Sequence, residues 1–198
     1  MNSGMLVIIS GPSGSGKGTV VKGLRAENGY ALSVSVTTRQ ARKGEIDGRD
    51  YFFKTEDEFR MMRENGELLE HAFFVNSFYG TPMHYVETQI QNDKIVVLEI
   101  EVNGALQVRE KFPQAILIFL MPPTFEELAN RLKLRGTEDD VTIEARLKKA
   151  KEEIPLIERY HYLVINDEVE KAITKIDAIV TAERMRPARS ADAIRAFL

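Results

Sequence analysis

The stretch GPSGSGKGT at residues 11–19 constrains this chain more than any other, because it puts four glycines into nine positions directly behind the apolar run MLVII. Glycine inside or beside regular structure costs roughly 0.5–1 kcal/mol per residue relative to alanine, so such a density needs a reason other than stability. The order apolar strand, then G-x-x-x-x-G-K, then helical pattern supplies one. Without Cβ atoms, Gly11, Gly14 and Gly16 can turn their backbone N–H groups inward around phosphate oxygens at a helix N-terminus, and Lys17 adds a point charge. Pro12, Ser13, Ser15, Gly18 and Thr19 complete the loop. A flexible connector that happens to carry a lysine is the bland alternative, and the strand before and helix after disfavour it. Gly18 stands where Ser or Thr commonly supplies a hydroxyl to Mg²⁺, so no residue is assigned as a direct metal ligand; Mg²⁺ commonly keeps several waters.

The apolar runs MLVIIS, ALSVSV, KIVVLEI, QAILIFLM and YLVIN recur along the chain, short and continuous, which is the pattern of strands buried on both faces. Helical stretches lie between them: TVVKGLRAEN, VNGALQVREKF, and TFEELANRLKLRG with a capping box of Thr124 and Glu127. The alternation predicts a parallel sheet flanked by helices, an α/β fold. From Ser35 to about Gln91 the pattern changes to short aromatic strands around one helix, capped by Thr55 with Glu58 and stopped near Gly66, which predicts a small mixed α+β insertion. The charged stretch LRGTEDDVTIEARLKKAKEE predicts further helix after a glycine turn.

Composition excludes several classes. The 198 residues carry no cysteine, so disulfide scaffolds, thiolate nucleophiles and thiolate metal sites are out, and three scattered histidines offer no ligand spacing. A net charge of -3 and a pI near 5.8 argue against a nucleic-acid partner. The N-terminal MNSGMLVIISGPSG shows no basic leader, and its apolar run is too short for a membrane span, so no membrane partner and a cytoplasmic location are expected.

The phosphate loop says little about an acceptor. The stretch SVSVTTRQARKGEIDGRDYFF carries Arg39, Arg42, Lys43 and Arg49 near Tyr51, and forked arginine donors with a phenol suit a second phosphate. For Lys43 and Arg49 a solvated loop is the preferred reading.

Together GPSGSGKGT, SVTTRQARKGEIDGRDYFF, GELLEHAFF, NSFYGTP, LEIEVNGA, RLKLRGT and ND resemble, in order and rough spacing, the guanylate kinases, from about Leu6 to about Arg184. The resemblance implies a P-loop NTPase-type core at residues 1–34, 92–126 and 158–198 of one domain. It also implies a nucleoside-monophosphate-binding insertion at 35–91 and a helical lid at about 127–157. The implied reaction is transfer of the γ-phosphoryl group of ATP, as ATP-Mg, to GMP. Carried over residue by residue, Ser35, Arg39, Arg42, Tyr51, Glu70, Tyr79, Thr81 and Glu101 fall at GMP-binding positions. Of these, Arg39, Arg42, Tyr51 and Tyr79 hold the acceptor phosphate. A carboxylate suits the N1–H and N2–H₂ donors of guanine, and a hydroxyl from Ser35 or Thr81 suits O6. Two bland alternatives stand beside these: Glu70 as a strand carboxylate pointing to solvent, and Thr81 as the N-cap of a helix starting at Pro82. Glu99 and Glu101 depart from the family's commoner aspartates.

The resemblance places Arg131, Arg135 and Arg146 on the lid, where with Lys17 and Arg39 they form the catalytic cations, and puts Asn166 at the adenine edge. Helical spacing sets Arg131 and Arg135 on one face. The rival reading from another class is a non-catalytic protein-binding module on the same fold. The intact Lys17 and glycines disfavour it. The loop alone also suits adenylate kinase or a sugar-bisphosphate phosphokinase, which SVTTR, YGTP and the acidic positions disfavour, and no N-K-x-D motif supports a GTPase.

Overall fold

The computed structural model describes residues 4–28, 30–74, 76–134 and 139–189. The apolar runs form a five-stranded, all-parallel sheet in the order β2-β7-β1-β8-β9. These strands are β1 (Met5–Ser10), β2 (Ala31–Leu32), β7 (Ile95–Glu99), β8 (Ile116–Met121) and β9 (Tyr162–Ile165). β1 is the central strand and every residue in it is buried, which is why its sequence shows no polar alternation.

Side-chain alternation along β1 divides the core. Met5, Val7 and Ile9 meet Val20, Val21 and Leu24 of α1 (Lys17–Asn28) and Ala172, Ile173, Ile176 and Val180 of α7 (Val169–Arg184). Leu6 and Ile8 face the other way, onto Val86 of α3 (Met83–Gln91) and Ala105 and Val108 of α4 (Val102–Lys111). Helices thus cover both faces, and the loop after β1 opens at the carboxyl edge of the sheet, where open α/β folds bind ligands.

ALSVSV does not form one strand. Its first two residues are β2, and Val36–Thr37 forms β3 in a second sheet. Ser33 N still donates to Val97 O at 3.0 Å, whereas Phe52 N bonds to Ser35 O at 2.9 Å, so the chain changes sheets between them. The second sheet has the order β4-β3-β6-β5, with β4 (Phe52–Phe53), β5 (Leu68–Phe74) and β6 (Ser77–Pro82). Its β3/β4 pair is parallel and its β3/β6 and β5/β6 pairs antiparallel. It packs a small core of Val36, Phe59 and Leu68 under α2 (Glu56–Glu64). The capping box of Thr55 and Glu58 is present on α2, and Gly66 turns the chain at φ +71.

Two capping expectations are corrected. Thr124 Oγ1 accepts from Glu127 N at 3.0 Å, but the Glu127 carboxylate turns to Arg131 Nε at 2.7 Å, so the reciprocal half of that box is missing from α5 (Phe125–Leu134). Thr81 is a strand residue and caps no helix; α3 starts at Met83 with Pro82 at its N-cap. The helix α6 (Asp140–Glu153) is capped by Asp139, which accepts from Thr142 N at 2.8 Å. No described helix is long and apolar enough to cross a membrane.

Candidate active site

The phosphate loop leaves β1 with φ +148 at Gly11, +89 at Gly14 and +88 at Gly16, conformations that side chains rarely adopt. Space is equally restrictive: a Cβ on Gly11 would stand 2.1 Å from Leu120 O, and one on Gly16 2.4 Å from Asn166 Nδ2. Lys17 Nζ donates to the carbonyls of Gly11 at 2.7 Å and Pro12 at 3.1 Å, which arches the loop over its own lysine. Ser15 Oγ is buried inside the loop with no hydrogen-bond partner among the described residues. Asn166, buried after β9, donates Nδ2 to Ser15 O at 2.8 Å, so this residue braces the loop. A cavity of about 360 Å³ lies against Gly14, Gly16, Thr19, Arg131, Asn166 and Asp167.

On the other side of the loop a cavity of about 480 Å³ brings together Ser35, Tyr51, Glu70, Tyr79 and Glu101 from five separate segments. Glu70 is 5% exposed, which overturns the solvent-facing alternative, and its Oε1 accepts from Thr81 Oγ1 at 2.7 Å. Burial raises its pKa above the usual carboxylate range, against the Thr81 bond and the charge of Lys111, which lower it. Arg39 lies 5.4 Å over the Tyr51 ring and bonds through NH2 to Glu45 at 2.8 Å. Arg39 holds the Glu45 carboxyl below its ordinary pKa, helped by the Arg42 backbone N–H. Tyr51 and Tyr79 meet edge to face at 6.1 Å. The Arg42 side chain stands exposed on the same loop, as do Lys43 and Arg49, the last paired with Asp50 at 2.8 Å.

The three arginines that the resemblance assigns to a lid divide. Arg146 NH1 donates to Ser13 Oγ on the phosphate loop at 2.9 Å, and Arg131 NH2 to Asn166 O at 3.0 Å. Arg135 lies outside the described residues. One side chain of α6 that sequence reasoning did not single out, Lys149, lines the second cavity. Lys149 bonds to Glu101 and stands 3.6 Å from Glu153, a buried carboxylate on the next turn of α6. Their i,i+4 spacing was visible in KAKEE, but nothing in it distinguished this pair from an exposed one. Glu99 closes β7 with its carboxylate oxygens 3.4 and 3.6 Å from where a Cβ on Gly18 would stand.

A glycine loop bent around a lysine between a central parallel strand and its helix, beside a second cavity with a buried carboxylate, defines a P-loop kinase of the nucleoside monophosphate class. The family model described as "Guanylate kinase" matches residues 3–183. A guanylate kinase of Bacillus subtilis (strain 168) is 51% identical over 197 residues, 98% of this chain and 97% of the relative. One of Lactococcus lactis subsp. lactis is 52% identical over 184 residues, 92% and 90% of the two chains. The crystal structure of guanylate kinase from Anaplasma phagocytophilum superposes with a TM-score of 0.72 at 37% identity, covering 94% of this chain and 89% of that one. The chain belongs to the guanylate kinase family.

Proposed function

We propose that this kinase transfers the γ-phosphoryl group of ATP to GMP, giving ADP and GDP. The observation that carries the reading is the buried Glu70, bonded to Thr81 and lining a cavity with Ser35, Tyr79 and Glu99. Guanine presents N1–H and N2–H₂, which need a carboxylate, whereas adenine presents an unprotonated N1 that would face one. A site whose buried polar groups go unpaired with the wrong base loses several orders of magnitude in rate. Because Thr81 already donates its hydroxyl hydrogen to Glu70, Ser35 is the hydroxyl left to donate to O6.

Arg39, between Tyr51 and Tyr79, takes the acceptor phosphate, which must compete with Glu45 for the guanidinium. Arg42, Tyr51 and Tyr79 assist it, and Glu101 lines the base side. The loop amides, Ser15 and Lys17 hold the donor, with Arg131 and Arg146 closing over it and Asn166 keeping the loop in shape. In the transfer, an acceptor phosphate oxygen forms a bond to the γ-phosphorus as its bond to the ADP oxygen breaks. The acceptor phosphate, with a second pKa of about 6, is mostly dianionic at neutral pH and needs no general base. Positioning and charge neutralisation therefore make up the chemistry. Magnesium bound with the nucleotide adds to that neutralisation; Glu99, facing the bare Gly18, is a carboxylate suited to its water shell.

The test is ADP formation from ATP-Mg with GMP, AMP, CMP and UMP offered separately. Preference for GMP that weakens in Glu70→Gln is the expected result. GMP binding without turnover would overturn it in favour of a binding module.

A further inference from the structure

The carboxylate that reads the base sits on an outer strand. β5 pairs with β6 on one side only, and its register slips between Leu68↔Pro82 and His71↔Gly80, so three steps on β5 oppose two on β6. Glu70 lies inside that bulge. Bulges re-aim side chains at the cost of ladder bonds, and an outer strand with a bulge has little of its own to fix where the side chain points.

The missing support comes from α4. Gln107 Nε2 donates to His71 O at 3.1 Å while its Oε1 accepts from His71 N at 3.1 Å, so one side-chain amide satisfies both backbone groups of the residue after Glu70. Lys111 Nζ donates to Leu68 O at 2.7 Å, two residues before Glu70. Gly104 completes the row, because a Cβ there would stand 3.0 Å from Glu70 Oε2. Residues 104, 107 and 111 have i, i+3, i+7 spacing and share one face of α4. That face grips the bulge on either side of Glu70 and leaves a recess for its carboxylate.

From this geometry we infer that Gln107 and Lys111 are positioning residues for base selectivity, setting the reach of Glu70 toward the 2-amino group of the acceptor purine. The inference rests on the reading of Glu70 given above. A carboxylate freed to shift by a fraction of an ångström keeps its charge but loses the hydrogen-bond geometry that separates guanine from a purine lacking the amino group. Neither side chain needs to touch the substrate.

The test compares kcat/KM for GMP and for inosine monophosphate, which lacks the 2-amino group, with saturating ATP-Mg and the full chain. Wild type, Gln107→Leu, Lys111→Met, Lys111→Arg and Glu70→Gln are measured together with KM for ATP and the melting temperature. Gln107→Leu and Lys111→Met are expected to shrink the preference for GMP about tenfold, the equivalent of one hydrogen bond. KM for ATP should stay within about twofold, the scatter usual away from a binding site. Lys111→Arg, which keeps a donor for Leu68 O, should restore most of the preference. An unchanged preference in both apolar variants while Glu70→Gln loses it would overturn the positioning role and leave the Glu70 reading standing. Equal losses for GMP, inosine monophosphate and ATP would also overturn it, because that is general loosening. Undiminished preference in Glu70→Gln would instead bring down the Glu70 reading and this inference with it.

Discussion

Glu70 sits where burial penalises the charge of a carboxylate, and a cost in stability follows. Burial raises its pKa, so the folded protein binds the proton more tightly than the unfolded chain does. Ionising it therefore costs stability, a penalty absent below the unfolded pKa and complete above the folded one. Glu70→Gln should melt at or above the wild-type temperature at pH 7 while losing GMP selectivity, a trade of stability for function that differential scanning calorimetry beside kinetics would show. The same shift moves the acid limb of kcat/KM for GMP, which reports free-enzyme pKa values, above the ordinary carboxylate range. In Glu70→Gln that limb should vanish, leaving the limb of the substrate phosphate; an unchanged profile would remove Glu70 from base recognition. Glu70 and Thr81 were picked out in the sequence by the family resemblance, and the fold joins them by a buried hydrogen bond. Gln107 and Lys111 were not, because their partners are backbone atoms 36 and 43 residues away that no local pattern specifies. Asn166 lines the cavity beside the phosphate loop, and its second contact, to the Ser15 carbonyl, was not legible for the same reason.

Elements were readable wherever burial dictated the pattern. Continuous apolar runs marked β1, β7, β8 and β9; β1 and β8 are buried nearly throughout as their runs imply, whereas β9 is an edge strand with Leu163 exposed. ALSVSV failed because serine at every second position suits a strand in either sheet, and only tertiary bonds at Ser33 and Ser35 decide where the chain crosses over. Capping motifs were half right. Thr55 and Glu58 meet reciprocally, with Glu58 held below its usual pKa mainly by the Thr55 backbone N–H. Glu127 had a nearer competitor in Arg131. Thr55→Ala should thus destabilise the protein by about 1 kcal/mol, the usual cost of a lost N-cap, measured by urea unfolding. As α2 lies behind the second sheet and contributes no side chain to either cavity, turnover at saturating substrates should stay near normal. A fall in turnover without loss of stability would mean that α2 bears on the site in a way its packing does not show.

Across the whole molecule the second cavity lies where the two sheets meet, lined by Glu70 and Tyr79 of one and Glu99 of the other, and α6 reaches both its rim and the phosphate loop. Arg146 reaches Ser13 on the phosphate loop, and one turn later Lys149 reaches Glu101 at the second cavity. Two anions that repel each other have to be brought together between these cavities, so a helix carrying one cation to each side is suited to stabilise the charge shared in the transition state. The two cations should therefore separate experimentally. Arg146 bonds to the donor loop, where charge develops during transfer, and Arg146→Ala is expected to lower kcat by about 10²–10³, the range for removing one such donor. Lys149 pairs with a half-exposed carboxylate, so Lys149→Ala should act mainly on KM for GMP and weaken with added salt, as partly exposed ion pairs do. Steady-state kinetics on the two variants at low and high ionic strength decides the matter. If Arg146→Ala raised KM for ATP and left kcat intact, the lid arginine would be a binding residue only, and stabilisation of the moving phosphoryl group would fall to Lys17 and the loop amides.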